Sequence, residues 1–421
     1  MFRIWIFLNI KNFILGFFFK SKTKQIKNYL IKKICKQTKK KYLVLASQCR
    51  VGFLFILKYL KHKSKKNEII FCAYNLPEMI NIAVKLKFKI IFCDINYKTG
   101  SMEIADLKNK ISKKTSAIVL TNMFNNFKNS QKIKKLAIKH KINLIEDNAI
   151  YFDNFTKKKK KKIFSGSVGD YTVYSFNIMK NISSFYGGAV ATNNKNFINF
   201  YEEEYNKLNN FPKSSMMKQI IIYLILKIMS LKFLYKTIFW HLIKFAHFKN
   251  IKTVLKLFYP SLRSIRKNLP NYYFTKMSKL SMIITYFQLK DLTTRKKLFY
   301  SRQKKNDYYF KKISKIKHKD LSLININDKN YQNFLDFPIL VSNKILLNKF
   351  LLNRGIEVRY KHYYNCEKLF NKNEKCINAE KYEKELICLP AHPKITFSYI
   401  DYIVKNIEQY YFKIKKNRET I

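Results

Sequence analysis

The chain has 421 residues, 47% of them hydrophobic, a formal net charge of +58 and only eight glycines. The hydrophobic share excludes a disordered polycation, and the length suits two or three domains around a large core. The lysines are scattered and accompany abundant Asn, Ile, Phe and Tyr, so the excess reads as compositional drift and no nucleic-acid partner is expected.

Residues 1–20 are apolar and aromatic, but Arg3, Lys11 and Lys20 interrupt them. They lack the length of a span and the cleavage site of a secretory signal, so an amphipathic or core-docked helix is expected. Residues 21–41 read as a basic connector. From Tyr42 to Asp147, short apolar runs (EIIFCAY, KIIFCDI, SAIVLTNMF, INLIED) alternate with helical segments. Strands are expected near 70, 91, 119 and 145, in βαβ units that build a mostly parallel sheet. Ligands of such α/β sheets bind beyond the carboxyl ends of the strands, where Asp94 and Asp147 lie. Lys157–Lys162, six lysines in a row, read as an exposed loop. YTVYSF (171–176) reads as a strand, and Ala189–Thr192 begins another.

Residues 216–248 are apolar with a recurring Lys, and their longest uncharged run is Gln219–Leu226. That is far short of the roughly 20 residues a span needs. The segment suits a peripheral membrane contact, or a helix pair packed on the body or at a dimer interface. Residues 277–313 read as one long helix, and 334–421 as a small α/β domain. The expected division is 1–41, 42–205 (large domain), 206–272 (basic helical insertion) and 273–421 (connecting helix and small domain).

The seven cysteines stand singly without CxxC, and the seven histidines form no HExxH or HxH. Neither a disulfide framework nor a metal site is suggested, and a cytoplasmic setting fits. Four of the eight glycines (Gly166, Gly169, Gly187, Gly188) surround Lys180. An imine-forming lysine needs a depressed pKa from partial burial and nearby positive charge. A phosphate-bearing cofactor needs hydroxyls and backbone N–H groups at a helix start or tight turn. A pyridine nitrogen needs a carboxylate. Lys180, Ser175 at a strand end and Asp147 at another supply these parts.

Residues 42–421 resemble the DegT/DnrJ/EryC1/StrS family of sugar aminotransferases. IEDNA (145–149), SVGDYTVYSFNIMKN (167–181), GGAVATNN (187–194), SMIITYFQLKDL (281–292), RGIEVR (354–359) and CLPAHPKIT (388–396) carry the resemblance. It implies the fold of type I pyridoxal 5'-phosphate (PLP) enzymes, a large domain with a mostly parallel sheet plus a small C-terminal domain. It implies transfer of an amino group, from glutamate, to a nucleotide-linked keto sugar in glycan biosynthesis, by a homodimer. Lys180 would form the imine, Asp147 would face the pyridine nitrogen, and Ser175 with Ser47, Cys49 and Arg50 would hold the phosphate. Tyr74 would stack on the ring, and Arg359 would reach a carboxylate or diphosphate. The sequence departs from the family pattern at Gln48-Cys49, where a Gly-Thr pair is usual, and at FYGG (185–188), where GeGG is usual. Two alternatives are a sugar dehydratase on the same scaffold, whose known members replace the lysine by histidine, and a degenerate paralogue that binds membrane or a partner.

Overall fold

A computed structural model describes residues 3–419 apart from 21, 125, 159–160, 252, 254–268, 325–333 and 362. The N-terminal stretch forms α1 (Ile10–Phe18) and α2 (Thr23–Thr38). Residues 3–8 are core-docked: Ile4, Ile6 and Leu8 are buried, and Arg3 meets the buried carboxylate of Glu357. The expected connector at 21–41 is instead mostly helix. Ile26, Leu30, Ile34 and Thr38 of α2 recur every four residues, and this buried face packs beside the first strand.

The next elements are β1 (Tyr42–Ala46), α3 (Cys49–Lys63), β2 (Glu68–Cys72), β3 (Tyr74–Asn75), α4 (Pro77–Lys85), β4 (Lys89–Cys93), α5 (Ile104–Lys110), β5 (Thr115–Thr121), α6 (Phe127–Lys139) and β6 (Asn143–Asp147). They are followed by β7 (Phe155–Lys158), β8 (Lys161–Phe164), β9 (Tyr171–Ser175) and β10 (Gly188–Thr192). Seven strands form one sheet in the order β1-β10-β9-β6-β5-β2-β4, in which β10 alone runs antiparallel to its neighbours. The inner strands β2 and β5 are buried on both faces, which is why they read as unbroken apolar runs. The lysine run differs from the expected loop. Lys157 pairs with Lys162, and Lys158 with Lys161, in the β7–β8 hairpin; Lys159 and Lys160 fall outside the described residues.

After α7 (Lys195–Asn206) come α8 (Lys213–Met229), α9 (Lys232–Leu234), a π turn (Tyr235–Phe239) and α10 (Trp240–Phe248). Met216, Ile220, Tyr223 and Met229 of α8 are buried together with Ile4, Ile6 and Leu8. No described helix is long and apolar enough to cross a membrane. The single long helix expected at 277–313 is two, α11 (Lys279–Lys290) and α12 (Leu292–Ile313). Asp291 breaks it, because its ψ of 74° is not helical and its carboxylate caps α12 by accepting from Thr294 N at 3.0 Å. The C-terminal part contains β11 (Leu321–Leu323), β12 (Asp336–Val341), α13 (Lys344–Asn353), β13 (Tyr364–Asn365), α14 (Cys366–Leu369), α15 (Ile377–Glu385), β14 (Leu386–Pro390) and α16 (Phe397–Glu419). β11, β12 and β14 form a small antiparallel sheet, and β13 pairs with β3 in a two-stranded sheet that ties this part to the segment between β2 and α4.

Candidate active site

Strand register brings the sequence motifs to one sheet edge. Ala46 of β1 pairs with Gly188 of β10, and Gly188 pairs with Ser175 of β9. Asp147, the last residue of β6, pairs with Val173, two residues before Ser175. After Ala46 the chain turns through Ser47 and Gln48 into α3, which starts at Cys49. A helix start offers free N–H groups and a positive dipole end to an anion. The turn lies directly on Gly188, where a Cβ would come 2.4 Å from Cys49 N, so a side chain is excluded there. Ser47 Oγ and both amide atoms of Gln48 are buried without a hydrogen-bond partner among the described residues. Native proteins rarely leave such atoms unmet, and a phosphate is the kind of group that accepts from the Ser47 hydroxyl and the Gln48 Nε2 amide.

Lys180 follows β9 in a turn whose backbone N–H donates to Asn177 O at 2.9 Å. The next residues are pinned from α11. Gln288 clamps Ser183 twice, donating to its carbonyl at 2.6 Å and accepting from its N–H at 3.0 Å. Ser281 Oγ donates to Ser184 O at 2.8 Å. The loop that carries Lys180 is therefore held by fixed polar contacts before any ligand arrives.

Burial lowers the pKa of Lys180, and the charges of Arg359 and Arg50 push the same way, while Asp147 and Cys49 oppose them. Burial raises the pKa of Asp147, against Ala149 N–H and Lys180. The Asp147 carboxylate accepts one backbone hydrogen bond, from Ala149 at 3.1 Å. A buried carboxylate so lightly bonded suits a cationic partner such as a pyridinium. Burial pushes the Cys49 thiol well up, so it is an inert neighbour. These residues fit PLP: a neutral-prone amine, an acid for the ring nitrogen, and an under-bonded turn for the phosphate.

Lys180, Asp147, Cys49, Arg50 and Arg359 are thus close enough to act on one another's charge, with Ser47 and Ser175 at the same edge. Two assignments shift. Tyr74 is 2% exposed, its hydroxyl accepts from Tyr363 N at 3.2 Å, and its ring packs against Tyr382. Among the described residues it packs between β3 and the C-terminal part, against the rings of Tyr363 and Tyr382. Arg50 turns to Glu78 at 2.7 Å, beside the ring of Tyr273, so its charge serves a buried ion pair as well as the turn. Arg359 pairs with Asp336 at 2.8 Å, yet its charge still reaches Lys180 and Tyr363. Asp94 caps α15, accepting from Asn378 and Ala379 N–H at 3.0 and 2.9 Å, and is structural. Sequence reasoning missed Tyr363, whose partly buried phenol lies within electrostatic reach of Asp147, Arg359 and Cys49. It also missed Glu146, which holds the SVGD turn by accepting from Val168 and Gly169 N–H at 3.1 and 2.9 Å. The charged residue inside an apolar strand was the available signal for Glu146; Tyr363 had none among 29 tyrosines.

The family model for the DegT/DnrJ/EryC1/StrS aminotransferase family matches residues 22–214 and 264–408. The chain belongs to this family. It is 23% identical over 394 residues to the dTDP-4-amino-4,6-dideoxy-D-glucose transaminase of Shigella dysenteriae, covering 90% of this chain and 89% of that protein. It is 30% identical to an uncharacterized protein of Methanocaldococcus jannaschii, but that match spans only 37% of this chain and 39% of the relative. A match to GDP-perosamine synthase of Escherichia coli O157:H7, 34% identical, spans 28% of that protein. The fold is that of Helicobacter pylori PseC, an aminotransferase of pseudaminic acid biosynthesis, at a TM-score of 0.67, 17% identity and 95% coverage of both chains. It is equally that of the E. coli GDP-4-keto-6-deoxy-D-mannose-3-dehydratase solved with hydrated PLP, at 0.67, 19% identity and 96% and 97% coverage. Family and fold together imply PLP as the cofactor.

Proposed function

We propose that this chain is a PLP-dependent aminotransferase that moves an amino group from glutamate to a nucleotide-linked keto sugar for glycan assembly. The observation that supports it most is the pairing of Lys180, whose pKa burial lowers, with the buried Asp147 carboxylate. PLP, when bound, supplies an electron sink for bonds at the donor's Cα. Lys180 Nζ, in its neutral form, takes the Cα proton of the donor and returns a proton to the sugar carbon that receives nitrogen. Asp147 faces the ring nitrogen and keeps it protonated. Ser47, Gln48, Ser175 and the N–H groups that open α3 take the phosphate. Arg359 meets a donor carboxylate or the sugar's diphosphate from the C-terminal part. A lysine at 180, rather than histidine, favours transfer over dehydration.

The reading includes a homodimer, a cytoplasmic setting and a peripheral membrane contact through 216–248. It keeps 42–205 as the PLP-binding domain and 273–421 as the connecting helices and small domain. Incubation with PLP followed by borohydride should add one reduced cofactor to the peptide carrying Lys180, and Lys180→Ala should abolish the addition. The loaded protein should then convert one member of a nucleotide keto-sugar panel with glutamate. A protein that takes up no PLP is the degenerate paralogue; one that binds PLP but releases water from a keto sugar is the dehydratase.

A further inference from the structure

The family model stops at residue 214 and resumes at 264, so the segment between is an insertion. Helix α8, most of which lies in it, is apolar on two sides. One side faces the body through Met216, Ile220 and Tyr223. On the other, Met217, Ile221, Leu224, Ile225 and Ile228 are all exposed, and they follow the i, i+4, i+7, i+8, i+11 spacing of a single stripe. Exposed apolar residues continue with Leu231 and Phe233, the latter 75% exposed, and with Leu242, Phe245 and Phe248 on and beside α10. Helix α1 lies against this insertion, with the ring of Phe13 4.9 Å from that of Tyr223. It exposes Ile10, Ile14, Phe17 and Phe18, the last at 79%. Apolar surface on this scale marks an interaction site.

Charge identifies the occupant. The chain has 26 acidic residues, yet none precedes Glu68 and none lies between Glu204 and Asp291. Both exposed segments therefore carry lysine without any acid. Lys218, Lys232, Lys236 and Lys249 are exposed around the stripe. At the end of α1 a hollow of about 510 Å³ is lined by Phe17, Phe19 and the lysines Lys20, Lys22 and Lys279. None of these three lysines forms an ion pair among the described residues. Apolar side chains that enter acyl chains, ringed by ammonium groups that meet phosphates, match an anionic lipid surface. A second copy of the chain would bring the same positive charge to the same face, and like charges oppose that docking.

We infer that α1 and the 213–248 helices form a docking surface for an anionic phospholipid bilayer, on which the protein lies without crossing. The inference rests on the peripheral contact in the reading above and is separable from its chemistry. The full chain, loaded with PLP, is sedimented with vesicles of phosphatidylcholine alone or mixed with phosphatidylglycerol. Binding to the anionic vesicles should be at least about tenfold stronger and should weaken with salt. The variant Ile221→Gln/Ile225→Gln/Ile228→Gln/Phe233→Gln changes only exposed positions, so circular dichroism and PLP absorbance should stay as in the parent while vesicle binding falls about tenfold. Lys218→Glu/Lys232→Glu/Lys236→Glu should lose the anionic preference. Equal binding to both vesicle types, or none, overturns the inference. So does a glutamine variant that keeps its vesicle binding but turns from dimer to monomer in sedimentation velocity, since the face then belongs to a second copy. Vesicle binding by a protein that takes up no PLP would leave the docking surface standing and remove the aminotransferase reading.

Discussion

The ring of Phe185 meets the ring of Tyr223 edge to face, with centroids 5.7 Å apart and planes at 78°. Phe13 of α1 meets Phe185 in the same way at 5.9 Å. Phe185 lies five residues after Lys180 and takes a φ of 66°, a left-handed conformation that suits glycine. It stands where the family's loop carries a glycine. The Phe185 ring is an aromatic anchor that joins the lysine segment to both α1 and the insertion. The steric cost of the left-handed backbone is about 1–2 kcal/mol, and burial of the whole ring offsets it.

That balance can be measured. Phe185→Ala loses the ring and keeps the strain, for a destabilisation of about 3–5 kcal/mol. Phe185→Gly loses the ring and relieves the strain, so it should be about 1 kcal/mol more stable than the alanine variant. Urea denaturation of the two proteins decides it. Equal midpoints would mean that residue 185 is not left-handed in solution.

Lys180 should react as an amine of lowered pKa. Its labelling by trinitrobenzenesulfonate, followed by peptide mass, should have a midpoint below the ordinary 10.5. Arg359→Gln removes a cation that lowers this pKa and should move the midpoint up; Asp147→Asn removes an anion that raises it and should move the midpoint down. The stability sign follows from the same shift. A lysine with a lowered folded pKa destabilises the fold fully below that pKa, and the cost fades as pH rises to 10.5. Lys180→Met should therefore raise Tm at pH 7, with a gain that shrinks at alkaline pH. An unchanged Tm at both would show that the amine is fully solvated.

Arg50 and Glu78 form a mostly buried pair at 2.7 Å between the start of α3 and the start of α4. Arg50→Ala removes the cation paired with this mostly buried carboxylate and should cost about 3 kcal/mol. Arg50→Met/Glu78→Met removes both charges and should recover most of it. If Arg50 also serves the phosphate, the double variant will be stable and still bind PLP more weakly. Retained affinity in that stable protein would assign Arg50 to structure alone.

How much of this was legible depended on what each residue's neighbours were. β2, β5 and β6 were readable because strands buried on both faces write continuous apolar runs. Lys180 stood out from the other lysines because four of the eight glycines surround it and because Ser175 and Asp147 end strands of the same sheet. Helix α2 was hidden because its three buried aliphatics are diluted by lysines on the solvent side. Tyr74 misled because position at a strand end does not fix which way a side chain turns. Its neighbour β13 comes 290 residues later and closes over it. Arg50 looked free for the same reason, since Glu78 lies 28 residues away on α4.

Ser47 gives the sharpest test of the phosphate turn, because its two expected effects have opposite signs. Its hydroxyl is buried and has no partner among the described residues, so in the cofactor-free protein it costs desolvation and gains nothing. Ser47→Ala should stabilise that form by about 1 kcal/mol. If the hydroxyl meets the phosphate, the same change should weaken PLP binding by about 1 kcal/mol, roughly fivefold in Kd. Thermal denaturation without PLP reads the first effect, and fluorescence titration with PLP reads the second. A hydroxyl that is merely structural would move both in the same direction, and a gain of stability with unchanged affinity would move the phosphate away from Ser47.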